Sequence, residues 1–164
     1  MTFRFRLLRL SVLIGLAVLA LPVASSQLSA DAGNPFSTLL GSWGGSGEYR
    51  LQDGTTQRVK CNAYYTGGGT QLGMVIRCSS DTNKIEIRSK LSSSGGRITG
   101  SWEERTYNAE GSASGSAAGD KINLQISGAV NGTMQVAYTA SRQSVSISTQ
   151  GVALRSVNIT LGRS

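Results

Sequence analysis

The sequence predicts an all-β protein, a single antiparallel up-and-down barrel of about 8–10 strands, with a flattened barrel or a sandwich as the alternative. Three observations point there. After Ser42 no stretch carries the spacing of an amphipathic helix, whereas apolar and polar residues alternate in run after run. The chain has 21 glycines and no proline after Pro35, so Gly, Asn, Asp and Ser mark the turns while the runs stay free of breakers. The turns are short, so the runs form a meander, and a long meander must close or split into two sheets to manage its edges.

In order, Gly45 to Leu51 reads as the first strand. Gln57 to Tyr65, "QRVKCNAYY", sets Val59, Cys61, Ala63 and Tyr65 on one face. "TGGGT" turns the chain, and Gln71 to Cys78 returns with Leu72, Met74, Ile76 and Cys78 inward. Lys84 to Leu91 and Arg97 to Arg105 follow, the second placing Ile98, Gly100 and Trp102 inside. Ala109 to Ala117 is unusual, because Gly111, Ala113, Gly115 and Ala117 share the inward face. Four later runs complete the set: Lys121 to Ser127, Thr133 to Thr139, Gln143 to Thr149 and Leu154 to Leu161.

The start of the chain has the layout of a secretory signal peptide. Arg4, Arg6 and Arg9 precede "LSVLIGLAVLAL", Leu10 to Leu21, and small residues follow. That apolar run is short against the ~20 residues of a membrane helix. Cleavage fits after Ser26 or after Ala32. The expected organisation is therefore a signal peptide at 1–26, a flexible segment at 27–40 and a barrel domain at 41–164. A general-secretory leader of this kind implies a periplasmic or secreted protein, with no membrane span after processing. Losing three arginines leaves thirteen basic against nine acidic residues, a net charge of +4 in place of +7.

Composition excludes several chemistries. There is no histidine, which removes Ser-His-Asp and Cys-His catalysis and His-based metal sites. Adjacent Glu103 and Glu104 point to opposite faces of a strand, so they do not form an acid–base pair. No catalytic residue, metal site or cofactor is expected, and the chain reads as no enzyme. Cys61 and Cys78 have the same inward parity on consecutive strands, and folding about the glycine loop sets them roughly opposite. They are expected to form one structural disulfide, as suits an exported chain.

Trp43 and Trp102 are the two tryptophans, and each follows Gly-Ser. Gly41-Ser42-Trp43 opening the first strand, the meander after it and Arg163 near the end together resemble the calycin group of lipocalins, fatty-acid-binding proteins and avidins. That resemblance implies barrel closure by Trp43, with Arg163 packed over it. The segments "GSWGGSG", "RVKCNAYY", "IRCSSDTNKIEIR", "GSWEERTYN", "GSASGSA" and "QSVSISTQG" also resemble a set of small secreted proteins of Gram-negative bacteria. That second resemblance implies an envelope or secreted location and brings no activity with it.

The Gly/Ala face leaves two outcomes open: the opposite wall closes in, or a cavity remains. In the second case the expected ligand-binding lining is Tyr49, Tyr65, Met74, Trp102 and Tyr138. Outside, Arg58, Lys60, Arg77, Arg88, Lys90 and Arg97 are candidates for an anionic surface; with Lys84 and Arg105, and against Glu86 and Glu103, that half carries a net +6. Nucleic acid is a disfavoured partner, because few exposed aromatics interleave with these cations. The function expected is an exported, non-enzymatic barrel that binds a small, partly apolar ligand or an anionic envelope component. The alternatives are a protein–protein role, such as a periplasmic protease inhibitor, or a structural envelope protein.

Overall fold

The computed structural model describes residues 34–164. The expected signal peptide lies outside the described residues, as do residues 27–33. Ten strands follow one turn of 3-10 helix at Ser37–Leu39: β1 (Gly41–Leu51), β2 (Thr56–Gly68), β3 (Gln71–Ser79), β4 (Lys84–Ser94), β5 (Arg97–Glu104), β6 (Ala109–Ala118), β7 (Lys121–Gly128), β8 (Asn131–Tyr138), β9 (Arg142–Gln150) and β10 (Leu154–Arg163). Each strand pairs antiparallel with its neighbours in sequence, and β1 pairs with β10, so the sheet closes into a barrel. Closure leaves no edge strand, which settles the choice between barrel and sandwich.

The alternation does what its period requires. On β9, Gln143, Val145, Ile147 and Thr149 are buried and the residues between them exposed. The connections are short: Gly69 and Thr70 alone join β2 to β3, so the glycine loop extends both strands and turns on two residues. Cys61 and Cys78 are directly opposite in the β2–β3 register and form the disulfide.

An up-and-down barrel has two ends with different fates. Odd-numbered strands start at the end that holds Trp43 and run away from it; even-numbered strands run back. At the Trp43 end the segment before β1 forms a plug. Phe36 and Leu39 are buried there, so the last part of the segment expected to be flexible is packed instead, its two apolar side chains filling the barrel's end. The Trp43 indole N–H donates to Leu39 O at 2.7 Å. The Arg163 guanidinium lies 4.3 Å from the Trp43 ring centre and donates to the carbonyls of Ala140, Leu40 and Thr38. Arg163 thus stacks on the tryptophan and ties the plug to the barrel at once.

The glycines that precede the two tryptophans are needed for backbone geometry. Gly41 has φ +110°, a conformation open to glycine, where the chain turns from plug into strand. At Gly100 a Cβ would lie 2.0 Å from Lys90 O on β4, so only glycine permits that close strand approach.

Candidate functional site

The half of the barrel away from the plug holds a cavity of about 660 Å³. Its walls are inward side chains from the ends of odd strands and the starts of even ones. Tyr49, Val59, Ile76, Ile85, Ile87 and Trp102 form one side; Leu124, Ile126, Met134, Val145, Ile147, Val157 and Ile159 form the other. Ala109 and Ala113 of β6 lie on this lining, so the small-residue strand leaves space there. Trp102 lies over β6 as well: a Cβ on Gly111 would come within 2.9 Å of its indole nitrogen. That nitrogen donates to Ser127 O at 3.3 Å.

Polar groups gather at the mouth and are mostly engaged with one another. The Tyr49 hydroxyl donates to Gln57 Oε1 at 2.6 Å and accepts from Asn83 Nδ2 at 2.8 Å. Ser80 and Thr82 also donate to Gln57 Oε1. The Tyr107 hydroxyl reaches Asn83 Oδ1 at 3.4 Å, bridging the β5–β6 loop to the β3–β4 loop. Glu104 sits on the rim, half-buried. Its Oε1 accepts from the backbone N–H groups of Glu86 and Thr106, and its Oε2 from that of Tyr107 at 2.7 Å. The carboxylate therefore organises the β5–β6 turn, which explains an acid at an inward position of a strand end.

Of the five residues expected to line a cavity, the structure places two there, Tyr49 and Trp102. Tyr65 and Tyr138 are buried in the plugged half. The Tyr65 hydroxyl donates to Gln143 Oε1 at 2.7 Å, and burial pushes that phenol well above the usual tyrosine range. Tyr138 donates to Pro35 O at 2.7 Å and Gly119 O at 3.2 Å, and burial raises it too, with the Asp120 charge adding to the effect. Met74 is buried mid-strand, beside an outer groove between β3 and β6 rather than on the cavity. The physical reason is strand direction: Tyr65 and Tyr138 end even-numbered strands, which return to the plug. Aliphatic residues of β7 to β10 and the mouth residues Asn83 and Tyr107 escaped the sequence reading. Inward parity combined with distance from Trp43 along each strand is the signal that finds the aliphatic residues; Asn83 and Tyr107 lie in loops, where no parity marks them.

The outer basic residues are spread over β2 to β5 and interleaved with acids. Arg58, Lys60, Arg77, Lys90 and Arg97 are exposed and Arg88 half-exposed. Glu86 bonds Arg77 at 2.8 Å and Arg88 at 2.6 Å, and these two partners hold its carboxyl below the usual range. Arg58 faces Glu48 across the β1–β2 register. Arg77 also lies 6.0 Å from the ring of Tyr64. The net positive half is thus a patterned surface in which two of the six candidate cations share one glutamate.

Solved structures resemble this fold, and two illustrate the likeness. One is Rv2717c from M. tuberculosis, at 16% identity and a TM-score of 0.65, covering 79% of this chain and 94% of that one. The other is the S-type phycobiliprotein lyase CPES from Guillardia theta, at 14% identity and a TM-score of 0.53, covering 78% and 89%. At these identities the likeness is one of fold, and it agrees with a closed antiparallel barrel. No family model and no curated protein matches the sequence.

Proposed function

We propose that this chain is an exported, non-enzymatic binding protein that encloses a small, largely apolar ligand in the open half of its barrel. The cavity carries the proposal. At about 660 Å³ it falls within the ~300–1,000 Å³ common to small-molecule sites, and aliphatic side chains dominate its walls. The plug built from Phe36, Leu39, Trp43 and Arg163 leaves the opposite mouth as the way in. The absence of histidine from the chain and the backbone bonds that occupy Glu104 favour binding over catalysis. The Cys61–Cys78 disulfide and the signal-like start favour export.

The test is a fluorescence titration of residues 27–164 with the uncharged probe N-phenyl-1-naphthylamine. Saturable one-to-one enhancement is expected, together with quenching of Trp102. Ala113→Phe fills the cavity wall and should weaken binding by at least about tenfold, equivalent to ~1.4 kcal/mol. Equal binding by that variant would place the probe elsewhere and overturn the proposal.

A further inference from the structure

We infer that the cavity selects uncharged aliphatic molecules, carrying at most a hydroxyl or carbonyl group, over carboxylate or phosphate amphiphiles of the same length. The inference rests on the ligand-binding reading above and names its ligand class. Among the described residues, no lysine or arginine lines the cavity. The one charged lining residue among those described is Glu104, a carboxylate already holding three backbone N–H groups. The basic residue that closes the barrel is committed at the far end, where Arg163 is stacked on Trp43 and bonded to three carbonyls. The remaining cations of β2 to β5 point outward.

An anionic head inside this space would lose its water and gain no counter-charge, an unfavourable transfer that an alcohol avoids. A hydroxyl, in contrast, meets short polar groups suited to it. Ser89 lies on the cavity wall, in register with Trp102 on β5, and Asn83 lies at the mouth. The Asn83 Oδ1 contact to Tyr107 is long, at 3.4 Å, and can yield to a ligand hydroxyl.

The experiment is displacement of N-phenyl-1-naphthylamine by 1-decanol and by decanoate at pH 7.5, where the acid is ionised. Decanol should displace the probe at a concentration at least about tenfold lower than decanoate. Ile126→Lys, at a half-buried cavity position, should narrow or reverse that preference by supplying the missing cation. Ala129→Lys, at an exposed rim position, makes the same test if the first variant does not fold. Decanoate displacing the probe as well as decanol would overturn the inference while leaving the cavity's role intact. Failure of the probe to bind at all would remove the binding reading, and this inference with it.

Discussion

Truncating Trp43 to alanine removes the centre of the barrel's closed end. The side chain is almost fully buried, at 1% exposure, and its indole N–H is bonded to Leu39 O at 2.7 Å. Large-to-small change of a buried aromatic costs about 3–5 kcal/mol. Arg163 also loses the ring it stacks on, which contributes ~1–2 kcal/mol in a partly desolvated setting. Leu39 O loses its donor, worth about 1 kcal/mol. These effects overlap at one site, so the expected loss is about 4–6 kcal/mol rather than their full sum. Trp102→Ala should cost only ~1–2 kcal/mol, because its indole is half-exposed on a cavity and held by a single 3.3 Å bond. Urea unfolding followed by far-UV circular dichroism measures both. The two variants should separate on a second axis as well: Trp102→Ala removes probe-dependent quenching, and Trp43→Ala, where still folded, retains it. A loss below ~2 kcal/mol for Trp43→Ala, or equal losses for the two, would refute the assignment of plug to one tryptophan and cavity wall to the other.

Two further outcomes follow from the plugged half and the staple. Replacing Cys61 and Cys78 together by serine should lower stability by about 3 kcal/mol, the chain-entropy value for a loop of this length, and leave the fold in place; urea midpoints of the two proteins check it, and an unchanged midpoint would contradict a structural role. Stability should also fall above pH ~10. The folded Tyr65 phenol keeps its proton there while the unfolded phenol ionises, so the unfolded state binds fewer protons and the slope reaches about 1.4 kcal/mol per pH unit. Tyr65→Phe should flatten this decline in urea titrations between pH 9 and pH 11, and an unaltered slope would show that another group governs alkaline unfolding.

The fold was legible because a closed antiparallel meander writes itself in simple periods. One inward residue in two, turn glycines and an even cysteine pair of matching parity led to the ten strands and to Cys61–Cys78. The Gly-x-Trp opening with a late arginine led to the closure contact, because an even number of strands returns Arg163 to the Trp43 end and closure sets β10 beside β1. The site was half legible. Parity says which residues face inward, but an inward residue lines a cavity only in the half that other side chains do not fill. Tyr49 and Tyr65 have the same parity and the same side chain, yet one ends β1 at the mouth and the other ends β2 at the plug. Phe36 and Leu39 hid in a segment without period, since a plug is set by tertiary fit and not by local pattern. The three backbone partners of Glu104 were not legible, because backbone N–H donors of a turn leave no mark in composition.

The most direct measurement is a crystal structure of residues 27–164 grown or soaked with 1-decanol. The aliphatic chain is expected between Trp102, Ala113 and Ile147, with its hydroxyl near Ser89 or Asn83 and Arg163 still stacked on Trp43. A solid interior with no space beside Ala113, or decanol bound only on the outer face, would contradict the account.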